Sequence, residues 1–266
     1  MKPFRVLAVG DVVGNPGREA CMKIIPRLRR DENIDFVIAN GENLAGGSGV
    51  TESTTRELFQ NGVDVITSGD HVFRKKEAED LLTKNHRILR PANYPARVPG
   101  EGSTVVSAAN GIKVGVINVI GRVFLKTVDC PFDAAEREIE KIRKQTSIIF
   151  VDIHAEATSE KVALGWFLDG KVSGIFGTHT HVQTADERIL PKGTAYITEL
   201  GMCGPYHSVI GRKIDDALHM FLTQMPSKLE VATEDARLSG AIFEIDADTG
   251  KALSLKRIHE KVNHAA

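Results

Sequence analysis

Short apolar runs rich in valine and isoleucine recur at residues 4–10, 35–40, 64–68, 113–118, 147–152, 172–176 and 194–198, bounded by glycine, asparagine or aspartate. Runs of this length and punctuation read as buried strands. Between the early ones, apolar residues follow a helical period over 18–30, 52–61 and 75–83. The first third is therefore β-α-β-α-β-α, which predicts a parallel sheet, because parallel neighbours need a crossover connection. Helical patterns return over 134–144, 159–168 and 215–224. Residues 238–246 and 252–258, joined by Ala247-Asp248-Thr249-Gly250-Lys251, predict a closing antiparallel hairpin. The proline-bearing stretch 90–102 reads as an ordered loop. With no internal repeat or low-complexity segment, the expectation is one α/β domain over residues 1–266.

Composition narrows the classes. The 266 residues are 42% hydrophobic and 26% charged, enough for a sizeable core. A formal net charge of -1 provides no global basic field, so neither extended nucleic acid nor an anionic membrane surface is expected as a partner. No apolar stretch approaches membrane-spanning length, and the start Met1-Lys2-Pro3-Phe4-Arg5 lacks signal-peptide architecture. Cys21, Cys130 and Cys203 form no C-x-x-C pair and suit reduced thiols, which together predicts a cytoplasmic protein. Homo-oligomerisation is left open. Trp166 is expected in the core.

The chemistry-bearing residues collect at one kind of place. Predicted strands end in Gly10-Asp11, Gly41-Glu42-Asn43, Gly69-Asp70-His71, Asp152-Ile153-His154 and Gly177-Thr178-His179-Thr180-His181. Open α/β sheets bind ligands at these carboxyl ends. Singly, each has a structural reading: Asp11 as a helix cap, Glu42-Asn43 as turn formers, Asp152 and His154 as a buried pair. Together they are hard to bury, since each unpaired charge costs several kcal/mol, and a cation cluster removes the difficulty. Imidazole and carboxylate donors without thiolate suit iron, manganese or zinc. On extended backbone, His179 and His181 would point the same way, one toward each ion of a pair.

Competing motifs fail on spacing. Residues 10–17 space their glycines as G-x-x-x-G-x-x-G, which is not the dinucleotide fingerprint, and Asp11 would repel a pyrophosphate. His154-Ala155-Glu156 matches the H-x-E of zinc deaminases, but no P-C-x-x-C follows.

The segments Gly10-Asp11-Val12-Val13-Gly14, Ala39-Asn40-Gly41-Glu42-Asn43, Gly69-Asp70-His71, the block opening at Asp152-Ile153-His154, and Gly177-Thr178-His179-Thr180-His181-Val182-Gln183-Thr184 carry a resemblance over nearly the whole chain. The sequence resembles the calcineurin-like metallophosphoesterases, in particular their bacterial YmdB-type branch of cyclic nucleotide phosphodiesterases. That resemblance implies a four-layer α/β/β/α sandwich with mixed sheets and a pair of divalent or trivalent metal ions, iron foremost and manganese next. It implies one ion on Asp11, Glu42, Asn43 and His181, and another on Glu42, Asp70, His154 and His179, bridged by Glu42. His71 would stand near the substrate as catalytic acid without ligating metal, while a hydroxide shared by the ions attacks a phosphodiester such as a 2′,3′- or 3′,5′-cyclic nucleotide.

Two departures stand out. The superfamily's usual Asp-x-His is absent after Asp11, as in the branch resembled. The family's Gly-Asn-His is here Gly69-Asp70-His71, which would make a centre of two divalent ions and a hydroxide formally neutral instead of net positive. Asp70, with Cys203 and His207, keeps an alternative class in view: a metal-bound regulatory or nucleotide-binding protein with little turnover.

Overall fold

Apolar runs without strict alternation belong to strands covered on both faces, so the fold must supply a layer on each side. A computed structural model describes residues 3–262; Met1, Lys2 and His264 lie outside the described residues. In chain order the elements are β1 (Phe4–Val12), α1 (Gly14–Asp31), β2 (Phe36–Asn40), α2 (Glu52–Gln60), β3 (Val65–Thr67), α3 (Ala78–Lys84), β4 (Ser103–Ser107), β5 (Lys113–Ile120) and α4 (Pro131–Ile142). They continue as β6 (Ile149–His154), α5 (Thr158–Leu168), β7 (Gly174–Thr178), β8 (Arg188–Ile189), β9 (Ala195–Ile197), β10 (Met202–Pro205), α6 (Ile214–Thr223), β11 (Ala236–Ile245) and β12 (Ala252–Lys261).

The strands of the described residues form two six-stranded sheets, ordered β12-β11-β10-β1-β2-β3 and β4-β5-β6-β7-β9-β8. In the first, β1 runs parallel to β2 and β10 and antiparallel to β11. In the second, β5, β6, β7 and β9 are parallel, with β4 and β8 antiparallel at the edges. Both sheets are therefore mixed. The strands β4, β8 and β10 were not expected from sequence. The first two are short and largely half-buried or exposed edges, and Met-Cys-Gly-Pro in β10 carries turn residues instead of a β-branched run. Residues 90–102 form an ordered loop, in which Asn93 donates to the carbonyls of Ile120 at 2.8 Å and Asp129 at 2.9 Å.

Side-chain parity builds the layers. Phe4, Val6 and Ala8 of β1 and Phe36 and Ile38 of β2 pack between the sheets against Val116, Phe150, Phe176 and Phe243. Leu7 and Val9, one residue out of phase, meet Ala20, Ile24 and Leu28 of α1. On the far side Ile149, Val151 and Ile153 of β6 meet Ile139 of α4 and Leu164 of α5. Three apolar layers thus separate four layers of secondary structure in the order α/β/β/α. Each fully buried Phe, Leu or Ile contributes about 1.5–3 kcal/mol.

Toward the carboxyl ends of the strands the layer between the sheets changes from apolar to polar. The inward series run Phe36, Ile38, Asn40 on β2 and Phe150, Asp152, His154 on β6. On β1 a register shift between Val9 and Asp11 breaks the parity. Gly10 is the extra residue, and a Cβ there would lie 1.8 Å from the Gly201 carbonyl oxygen. The bulge turns Asp11 away from the face of Leu7 and Val9 to join the polar end.

Trp166 is a correction to the expected core: it is half exposed on α5, with the Arg188 guanidinium 5.7 Å from its ring centre. Among the described residues no helix is long and apolar enough to cross a membrane.

Candidate metal centre

The residues singled out at strand ends converge on one spot above the core between the sheets. Glu42, Asp70, His154 and His179 bring ligand atoms within 4.8 Å of one another. His154 Nε2 lies 3.1 Å from Glu42 Oε2, 3.6 Å from Asp70 Oδ1 and 3.0 Å from His179 Nδ1. Beside it, His181 Nε2 is 3.7 Å from Asp11 Oδ1 and 3.4 Å from Asn43 Nδ2. Glu42 joins the groups: Oε2 faces His154, while Oε1 accepts from Asn43 Nδ2 at 3.0 Å.

Each imidazole is held from outside. His154 Nδ1 is 2.9 Å from Thr178 Oγ1, whose proton goes to Asp152 Oδ1 at 2.8 Å, so the ring must donate from Nδ1. His181 Nδ1 donates to the Ile210 carbonyl oxygen at 2.9 Å, and His179 Nε2 lies 3.1 Å from Glu156 Oε2. In the neutral rings the opposite nitrogens of His154 and His181 would be lone pairs turned into the cluster, the tautomer a metal ligand needs. Asn40 ties the two sheets together here, donating to Asp152 Oδ2 at 3.0 Å and Thr178 Oγ1 at 3.2 Å.

Without a cation the cluster is in electrostatic conflict. Burial pushes the Asp11 carboxyl well above its ordinary range. Burial also opposes charge on Glu42, but the His154 imidazole outweighs it and holds that carboxyl below the ordinary range. For His154 burial is likewise overcome, by Glu42 and Asp70, and its pKa is raised well above that of free imidazole. His179 and His181 are lowered, chiefly by burial. Asp11 Oδ1 and Asp70 Oδ1 are buried without any hydrogen-bond partner.

A cation fits this arrangement. Donors about 2.0–2.2 Å from a shared ion stand roughly 3–3.6 Å apart, and most of the donor separations here are of that size. A Cβ on Gly69 would sit 2.2 Å from His154 Nε2 and 2.4 Å from Glu42 Oε2, so glycine keeps this space open.

Some expectations change. His179 and His181 do not lie on extended backbone: their φ values are 97° and 64°. The left-handed turn splays the imidazoles, one toward His154 and the other toward Asp11. Asn43 is in place, but its Oδ1 faces His71 Nδ1 at 3.0 Å and its amide nitrogen faces Glu42 and His181. His71 stands at the rim with its side chain 27% exposed, outside the group of four. Asp11 caps no helix: Val13 occupies the N-cap of α1. Beside the site, Arg212 donates to the Gly47 carbonyl oxygen at 2.5 Å. Cys203 and His207 are remote in chemistry: Cys203 is buried 3.5 Å from Cys21 Sγ, and His207 pairs with Glu234 at the surface.

The sequence reading missed a buried clamp behind the histidines. Lys161 and Glu199 are buried and paired at 2.8 Å. Glu199 Oε2 accepts from the Thr180 backbone N–H at 3.0 Å and from its hydroxyl at 2.6 Å. Thr180 sits between the two positive-φ histidines, so this pair fixes the turn. Lys161 and Glu199 are 38 residues apart, with no spacing that links them.

A four-layer α/β/β/α sandwich carrying carboxylates and imidazoles at the strand ends between its sheets is a metallophosphoesterase fold. Within that class, the chain belongs to the YmdB-like family, whose model, described as YmdB-like protein, matches residues 7–258. A 2′,3′-cyclic-nucleotide 2′-phosphodiesterase of Bacillus subtilis (strain 168) is 48% identical over 96% of both chains. A hypothetical protein from Thermus thermophilus superposes with a TM-score of 0.91 at 38% identity, over 97% of this chain and 99% of that one. A novel phosphatase from Mycoplasma pneumoniae gives a TM-score of 0.91 at 34% identity, over 98% and 94%.

Removing one partner of the buried clamp leaves an uncompensated charge. Lys161→Met should therefore destabilise the protein by about 3–5 kcal/mol in urea unfolding. Lys161→Met/Glu199→Leu should recover much of that stability yet bind metal more weakly in equilibrium dialysis, because Thr180 is released. Wild-type metal binding by the double variant would deny the clamp any part in positioning the histidines.

Proposed function

We propose that this chain hydrolyses phosphodiesters, foremost 2′,3′- and 3′,5′-cyclic nucleotides, at a pair of metal ions, as a single domain acting in the cytoplasm. The observation that carries the reading is the division of Glu42, with one carboxylate oxygen in each of two adjoining donor groups. Asp11, Glu42, Asn43 and His181 would hold one ion, and Glu42, Asp70, His154 and His179 the other. Asn43 joins the first set by turning its amide through half a rotation, which exchanges Oδ1 for Nδ2. The donor chemistry suits iron, manganese or zinc, and the family resemblance puts iron first. Bound there, two cations supply Lewis acidity toward phosphoryl oxygens and an acidified water for attack. The 2′,3′-cyclic-nucleotide activity named for the Bacillus relative supports the substrate class. The three cysteines are unpaired, which suits a reducing compartment.

The protein's own groups do the rest. Carboxylates and imidazoles hold their positions through Thr178, Asp152, Asn40 and the Lys161–Glu199 clamp. His71 Nδ1 lies 3.0 Å from the Asn43 amide, which after that rotation would donate Nδ2–H to it and leave the ring proton on Nε2, whose edge lies 3.6 Å from Asp70 Oδ2 at the rim. A proton on Nε2 can there reach the leaving ribose oxygen, a contribution typically worth about 10²–10⁴-fold.

Asp70 sets the charge of the centre. An added negative charge about 4 Å from the reacting phosphorus is worth up to roughly 4 kcal/mol at an effective dielectric near 20, before solvent screening. Asp70 should hold metal more tightly, or favour trivalent iron, and attract the anionic diester less than an asparagine would. It also supports a second reading, metal-bound nucleotide binding with little turnover.

Metal analysis paired with a substrate panel separates the two. With two ions bound, the protein should turn over 2′,3′-cyclic AMP, 3′,5′-cyclic AMP and bis-(p-nitrophenyl) phosphate, and a phosphomonoester poorly. Two bound ions without diester turnover would leave only the binding role. His71→Ala should retain both metals and lose about 10²–10⁴-fold in kcat; metal lost along with activity would make His71 a ligand. Asp70→Asn should release metal to a chelator about tenfold faster and bind diesters more tightly. Unchanged retention and kinetics would remove any role for its charge.

A further inference from the structure

Val209 and Arg212 exchange two backbone hydrogen bonds of 2.9 Å around Ile210 and Gly211, whose φ values are 44° and 97°. A two-residue connection with both central residues at positive φ is the type I′ pattern, which favours asparagine, aspartate or glycine at its first position. Isoleucine is about the least suited residue there, because its branched Cβ crowds a left-handed backbone. Burial does not offset the strain, since Ile210 is 51% exposed. The turn itself would be served as well by glycine, and so would the carbonyl that holds His181 Nδ1.

The exposed side chain instead walls a cavity of about 420 Å³ that starts at His181, the imidazole facing Asp11, and is lined by Val182, Met202, Tyr206, Ile210 and His259 together with Gln183 and Ser208. The Gln183 amide nitrogen is spent on backbone carbonyls, and the Ser208 hydroxyl donates to the Pro205 carbonyl oxygen and accepts from Gly211 N–H. Val182 is 64% exposed there. The Tyr206 and His259 rings meet edge to face at 4.8 Å. The polar atoms of this wall are largely occupied. Tyr206 donates to the Met202 carbonyl or Ser239 hydroxyl, and His259 is bonded to Ser239 and Arg237. What the cavity offers is apolar and aromatic surface beside the phosphate-handling centre, with few free groups to read a base edge.

Resting on the phosphodiesterase reading above, we infer that this cavity is the nucleobase subsite, and that Ile210 is retained in a strained conformation to pack against the base plane. A phosphate at the metal centre directs the rest of a nucleotide past His181 into it. Contact of this kind is tolerant of base identity, because every base presents an apolar face.

The test uses metal-loaded protein with 2′,3′-cyclic AMP, 2′,3′-cyclic GMP and base-free ribose 2′,3′-cyclic phosphate. In the wild type, KM should be similar for the two nucleotides and higher for the base-free diester. Ile210→Gly relieves the turn, so its thermal midpoint should not fall and its metal content should hold. The ratio of nucleotide KM to base-free KM should rise about tenfold. An unchanged ratio, or equal wild-type KM values with and without the base, would overturn the subsite alone. A lowered midpoint with an unchanged ratio would make Ile210 structural. Failure of the wild type to hydrolyse any of the three would sink the phosphodiesterase reading and the subsite with it.

Discussion

Two sheets share one inner layer, and that layer must end somewhere. Where β1, β2, β6 and β7 reach their carboxyl ends, the phenylalanines and valines of the core give way to Asp11, Asn40, Asp152, His154 and Thr178, all fully buried. Placing so many ionisable groups out of water costs several kcal/mol for each charge left unpaired. Asn40 meets part of that cost by bonding Asp152 and Thr178 across the gap between the sheets. The remainder stays as opposed protonation tendencies, with Asp11 pushed up by burial and Glu42 held down by His154. A cation held by these groups would resolve that conflict, so the centre and the sandwich draw on the same strand ends.

The strands that build this layer were legible because their runs are covered on both faces and rich in Val and Ile. The metal-competent residues were legible because they follow those runs directly. The two-sheet arrangement was not legible from periodicity: it depends on which β-strands pair, and β4, β8 and β10 lack a strong strand pattern. Its four layers came from the family resemblance. Parity would have placed Asn40 inward with Phe36 and Ile38, but the bulge at Gly10 that turns Asp11 into the site breaks that same alternation on β1. The left-handed backbone at His179 and His181 was beyond spacing altogether, since neither residue type requires it. Lys161 and Glu199 are joined only by the tertiary fold.

Non-glycine residues at positive φ are uncommon, and three of the seven described here are His181 and residues beside it in the chain or bonded to it. His181 is itself one, His179 is its neighbour across Thr180, and Ile210 supplies the carbonyl that fixes its tautomer. Each such residue costs of order 1 kcal/mol or more and persists only where its surroundings over-determine it. The surroundings are visible: the Lys161–Glu199 pair grips Thr180, and the exchanged bonds of Val209 and Arg212 close the turn at Ile210. Two of these strained residues, His181 and Ile210, stand on the wall of the adjoining cavity.

This position gives His181 two faces with different tasks. Its Nε2 looks toward Asp11 and Asn43, and its Nδ1 is spent on Ile210. The ring also forms part of the cavity wall. A side chain shared in this way couples the arrangement around Asp11 and Asn43 on one side to surface shape on the other. At Asp70 the surroundings differ: its Oδ1 lacks any hydrogen-bond partner among the described residues, and its carboxylate faces His154 and His71. Substitution there changes charge with little change of shape. Asp70 is therefore the position where this chain can adjust the electrostatics of its centre while leaving the scaffold, the clamp and the cavity as they are.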